Sequence, residues 1–171
     1  MSTLIDRIIR ASRLDANLYG EVEADKGAMR QAVGIVVLSS IAAGIGSTGK
    51  EWHVTILMGT VFALMGWFVW AYLIYFIGAK VFPEPQTETD LGELLRAIGF
   101  SSSPGLIRVL GIIPGLTWVV LIGALVWMLM ATVIAVRQAL DYTSTLRAIG
   151  VCVIGWMIQL SMVLLFFSIW G

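Results

Sequence analysis

Five long apolar runs, separated by short polar stretches, organise most of this 171-residue chain. They extend from about Ala28 to Gly46, Val54 to Ile77, Leu91 to Ile112, Leu116 to Val136 and Leu146 to Trp170. A helix needs about 20 apolar residues to cross about 30 Å of hydrocarbon, so each run is near the length of a membrane span. Ahead of them Leu4, Ile5, Ile8, Ile9, Ala11, Leu14 and Leu18 recur at helical spacing, with Arg7, Arg10 and Arg13 on or beside the opposite face. The pattern predicts an amphipathic helix over about residues 3–19, lying in the interface with its arginines near anionic headgroups. Thr3 followed by Asp6 suits its start. Without a continuous apolar core, this stretch does not read as a secretory signal. The predicted fold is all-α: a polytopic membrane bundle of five transmembrane helices with an N-terminal interfacial helix, forming one domain over residues 1–171.

The third run is the odd one. Arg96 and Arg108 are separated by only about 18 Å of helix rise, so a spanning helix needs both side chains to snorkel toward opposite interfaces. Pro104 removes a backbone donor and predicts a kink, with Ser101 to Ser103 placed to satisfy freed carbonyls. A broken or re-entrant element is the alternative to a full span.

Charge arbitrates. With five spans and the N-terminus inside, Arg7, Arg10, Arg13, Lys26, Arg30, Lys80, Arg96, Arg137 and Arg147 are cytoplasmic, leaving only Lys50 and Arg108 outside. Basic residues favour the cytoplasmic side, which supports this topology and places the C-terminus outside. Ten of the eleven acids, all but Glu51, fall on the same side.

Composition agrees: 58% of residues are hydrophobic and 13% charged, with zero net charge and a mean hydropathy of +0.91. No concentrated basic surface suggests a nucleic-acid partner. The one cysteine, Cys152, lies in an apolar run, and the one histidine, His53, beside Trp52 in a polar loop. No phosphate loop, metal-spaced cluster or nucleophile with an evident base is present, so no catalytic residue, metal or cofactor is expected. Glu21, Glu23 and Asp25 alternate ahead of the first span, which in an extended stretch places all three on one side. Two readings follow: an electrostatic latch, a divalent-cation site or a docking surface, with Lys26, Arg30, Arg96, Arg137 and Arg147 as the cations that could meet it, or a capping arrangement with Asp25 at the start of the first span. The first span is dense in small residues, among them Gly34, Ser39, Gly44 and Gly46, suited to packing within the chain or against a second copy.

Leu18-Tyr19-Gly20 followed by Glu21, Glu23 and Asp25 resembles the cytoplasmic Asp-Leu-Tyr-Gly-Pro element of the Yip (Ypt/Rab-interacting protein) domain family and its prokaryotic Leu-Tyr-x-Glu-Val-Glu variant. Gly99-Phe100-Ser101-Ser102-Ser103-Pro104 resembles that family's Gly-Tyr-x-x-x-Pro element. Ile113-Pro114-Gly115 and the stretch Val136 to Tyr142 look like the fourth span of prokaryotic members and the loop after it. The likeness covers about residues 4–170 and implies a five-helix bundle with a cytosolic N-terminus. For eukaryotic relatives it implies vesicle trafficking and binding of prenylated small GTPases. Asn17 and Glu21 depart from the eukaryotic motif and the long cytosolic region ahead of it is lacking, so the chain looks like the prokaryotic branch, which implies a location in a prokaryotic inner (cytoplasmic) membrane.

The expected function is non-enzymatic: binding of membrane lipids or a protein partner through the cytoplasmic face, in membrane organisation or trafficking. The partner-binding or latch candidates are Tyr19, Gly20, Glu21, Glu23, Asp25, Arg96, Arg137, Asp141 and Arg147. The alternative is a small channel or transporter using Gly99, Phe100, Ser101, Ser103, Pro104 and Arg108 of the third run.

Overall fold

The structure, a computed structural model, describes residues 3–47 and 52–170, and every regular element among them is helical. Lys50 and Glu51, read above as outer-loop charges, lie outside the described residues. In chain order the helices are α1 (Leu4–Ser12), α2 (Ala16–Ala24), α3 (Ala28–Gly46), α4 (Trp52–Tyr75, continued by a π-helical turn, Phe76–Val81), α5 (Leu91–Phe100), a 3₁₀ helix (Ser103–Ile112), α6 (Thr117–Ala139) and α7 (Thr145–Trp170). Four segments are long and apolar enough to cross a membrane: Ala28–Gly46, Ile56–Val81, Thr117–Ala139 and Thr145–Met162. The chain is a multi-pass integral membrane protein.

The single helix predicted over about residues 3–19 is two. Thr3 caps α1 by accepting from the Asp6 N–H at 3.2 Å, as its position suggested. Two residues past the end of α1, Leu14 is held at φ 62°, where its N–H reaches the Ala11 carbonyl and the Asp15 N–H the Arg10 carbonyl. This paired closure ordinarily marks itself with glycine. Asp15 then caps α2, accepting from the Asn17 N–H at 3.0 Å. The two helices form a hairpin that does not simply lie flat: the Trp127 indole donates to the Ser12 carbonyl at 2.8 Å, about 18 Å of helix rise before the end of α6. Leu18, Tyr19 and Val22 of α2 are buried in the core formed with α3, α5 and α6, while Ile5 and Ile9 of α1 face outward.

The second span runs past its predicted end at Ile77 to Val81. Its last turn is π-helical, and the buried Tyr142 hydroxyl bonds the carbonyls of Gly78 and Phe82 at 3.0 and 2.8 Å.

Pro104 breaks the third element, as its ring requires. Ser101 bonds the Ile98 carbonyl at 2.7 Å, satisfying a group the break would otherwise strand, and the chain re-enters as the 3₁₀ helix. This element runs parallel to α3: Gly99 lies against Ala32, Gly105 against Ser39, and Gly111 against Gly46. Contact at Gly99 is close enough that a Cβ there would stand 2.7 Å from that of Ala32.

Candidate functional site

Charged side chains gather at the hairpin end of the bundle. Helical geometry places Glu21 and Asp25 one turn apart, and Glu23 on another side. Arg10 grips Glu21 with two hydrogen bonds, at 2.7 and 2.8 Å, and Asp15 with a third at 2.8 Å. Arg7 donates to Asp25 at 2.9 Å and to Gln31 of α3 at 2.8 Å. These arginines hold the carboxyls of Glu21, Asp15 and Asp25 below their ordinary values. Asp25 also accepts from the Gly27 N–H at 2.9 Å, beside the start of α3.

Glu23 has turned inward. One of its carboxylate oxygens is buried without a hydrogen-bond partner. Burial, reinforced by Asp141 and Glu93 and opposed by Arg96, pushes its pKa up to about 7. Buried Arg96 bonds the main-chain carbonyls of Val22 and Glu23, with the Nε contacts at 3.1 and 2.8 Å. This pins the C-terminal turn of α2 to α5. Tyr19 packs in the core with its hydroxyl 3.3 Å from the Ala11 carbonyl, joining α2 to α1, and Gly20 lies beside the Gln138 side chain of α6.

A second set ties the loop after α4 to the loop after α6. Buried Glu84 accepts from the Thr143 N–H and hydroxyl, both at 3.1 Å, from Gln86, and from Arg147 at 3.1 Å. The Thr143 N–H, with the other donors, holds its carboxyl below the usual range. Arg137 donates to the Tyr142 and Thr143 carbonyls and to the Thr145 hydroxyl. Asp141, at φ 53°, closes α6 as Leu14 closes α1: its N–H meets the Gln138 carbonyl and that of Tyr142 the Arg137 carbonyl.

In the third element Phe100, Ser101, Ser103 and Pro104 are buried, and the Ser101 hydroxyl lies 3.0 Å from that of Thr132. Arg108 does not snorkel outward. It folds back along the bundle, Nε on the Gly105 carbonyl at 3.0 Å and Nη2 on the Ser39 carbonyl and hydroxyl at 3.0 and 2.6 Å. Beside it, between α3, α4, α6, α7 and the third element, is a cavity of about 570 Å³.

A family model described as the Yip1 domain matches residues 28–167. The chain belongs to the Yip1 domain family. No curated protein and no solved structure matches it.

The matched segment begins at the first span, so the α1–α2 hairpin precedes it. Within this Yip1 domain Ser101 and Arg108 of the third run line the cavity, while Gly99, Phe100, Ser103 and Pro104 are packed at the break and do not line it. The three acids of residues 21–25 are not gathered on one side, because the stretch is helical rather than extended. Their carboxylates do not pair with Arg137 or Arg147; the hairpin supplies Arg7 and Arg10, while Arg147 takes Glu84. Glu84 was not among the candidates. A Pro-flanked acid in a polar loop reads as solvated, and only the approach of Thr143 and Arg147 shows otherwise. Among the described residues no group of His, Cys, Asp and Glu side chains is arranged to hold a metal ion.

Proposed function

We propose that this Yip1-domain protein is a non-enzymatic binding protein of the membrane, whose hairpin end faces the cytoplasm and engages membrane lipid and a protein partner in membrane organisation or trafficking. The observation that carries this reading is the clasp at that end. The apolar face of α2 is seated in the core, while the pairs that fasten it, Arg10–Glu21 and Arg7–Asp25, stand where a partner reaches them: Glu21 and Asp25 side chains are 46% and 42% exposed. The outward Ile5 and Ile9 suit the lipid headgroup boundary. The basic residues near this end support cytoplasmic orientation, and the parallel course of α3 and the third element supports five complete spans. Although α5 and the 3₁₀ helix are ten residues each, they rise about 15 and 20 Å, enough together to cross the hydrocarbon.

The test is photocrosslinking in the native membrane from a probe placed at Arg13, with and without Arg10→Glu. Partner adducts that are lost in Arg10→Glu support the reading; the same adducts with the clasp broken, in a folded protein, overturn it. A transport pathway is the second reading, favoured by the cavity beside Arg108. Flux of ions, protons or solutes across reconstituted liposomes above that of empty vesicles would establish it, and no flux would remove it.

A further inference from the structure

Gly59, Ala63 and Gly66 occupy one face of α4 at spacings of four and three residues. In a membrane bundle such a stripe ordinarily admits a second helix at close range. Here it does not: nothing lies within 4 Å of the place a Cβ would take at Gly59 or Gly66. All three residues line the 570 Å³ cavity, whose opposite wall includes Leu125, Met128 and Leu129 of α6. The size and the apolar walls are those of a ligand site.

Neutral polar groups, among them Ser40, Thr132 and Gln159, interrupt these walls, and one cation, Arg108, carries charge into them. Arg108 lines this cavity and also a smaller one of about 180 Å³ bounded by Gly46, Ser47 and Thr117, residues at the ends of α3 and α6 away from the hairpin. Its Nε and Nη2 are taken by Gly105 and Ser39, but Nη1 has no hydrogen-bond partner among the described residues, and none of their carboxylates pairs with it. A guanidinium at this depth calls for an anion. An apolar slot with one unanswered positive charge matches a molecule with a hydrocarbon chain and an anionic head.

We propose that the cavity holds an acyl chain of an anionic phospholipid whose phosphate is bound by Arg108. This site is separate from the clasp and does not depend on the partner reading.

The test uses the full protein in phosphatidylcholine liposomes carrying a trace of phosphatidylglycerol with a photoreactive acyl chain, or the matched phosphatidylcholine probe, with adducts mapped by mass spectrometry. The phosphatidylglycerol probe is expected to label Ala63 and Trp67 about tenfold more than the matched probe, whose choline cation offsets the phosphate charge presented to Arg108, a difference about the size of one charge-assisted contact. Arg108→Gln is expected to remove that preference. Gly66→Leu, which fills empty space and leaves Arg108 in place, is expected to abolish labelling at Ala63 and Trp67 while sparing the outward-facing Phe62 and Met65, 69% and 59% exposed. Equal labelling by both probes, or labelling indifferent to Gly66→Leu, would reduce the site to ordinary bilayer contact and overturn the proposal. So would loss of the preference on adding inorganic phosphate, which would make the ligand a free anion.

Discussion

Glu23 shows how one side chain makes the hairpin sensitive to pH. Its buried carboxyl binds a proton more tightly folded than unfolded, the pKa moving from 4.5 to about 7 under burial, Asp141 and Glu93, against the pull of Arg96. The stability tied to this proton is fully present below about 4.5, declines as pH rises, and is gone above about 7. With the intrinsic base catalysis of exchange divided out, amide protection in α2 should therefore be higher at about pH 5.5 than at about pH 8, values that bracket the upper part of this titration. Glu23→Gln should flatten the difference, and Asp141→Asn should move its midpoint down; an unchanged profile in Glu23→Gln would reject the assignment. The paired Glu21 and Asp25 have the opposite sign, their contribution being lost only as pH falls through their lowered pKa values. At Asp141 the left-handed backbone has a side chain where glycine is favoured, so Asp141→Gly should raise stability to detergent unfolding by about 0.5–1 kcal/mol.

At the scale of elements, steric tolerance should divide the glycines sharply. Gly99→Leu drives a side chain into Ala32 and should destabilise the protein by about 1–3 kcal/mol or more, whereas Gly66→Leu enters open space and should cost little. Unfolding of the two variants side by side checks this, and equal losses would contradict the packing of α3 on α5. Four of the five predicted spans were legible in the sequence because length and hydropathy suffice to define them, and the break at Pro104 because a missing donor is visible in the residue itself. The division of the N-terminal helix was not legible. Leu14 shows no glycine, and only the carbonyls of Arg10 and Ala11, closed by Asp15 and Leu14, reveal the turn. The inward folding of Arg108 was equally hidden, since it depends on Ser39 of a helix distant in sequence. Nothing in the spacing of the third-run residues announced the cavity that Ser101 and Arg108 line.

Across the whole molecule, the proposal joins a five-span topology to a binding face at the hairpin end. In a Cys152→Ala background, single cysteines at exposed Asp141 and Ile113 should react with impermeant reagents from opposite sides of the membrane. Same-side reaction would make the third element re-entrant. The binding face rests on the clasp, and a charge exchange tests it most directly. Arg10→Glu alone and Glu21→Arg alone should each speed amide exchange in α2 and reduce partner crosslinks from Arg13, while the double exchange should restore much of both, because the pair is re-formed with its polarity reversed although the contact with Asp15 is lost. If α2 remains equally protected in both single variants, or if the exchanged pair recovers protection without recovering crosslinks, the clasp is not the element through which this protein binds.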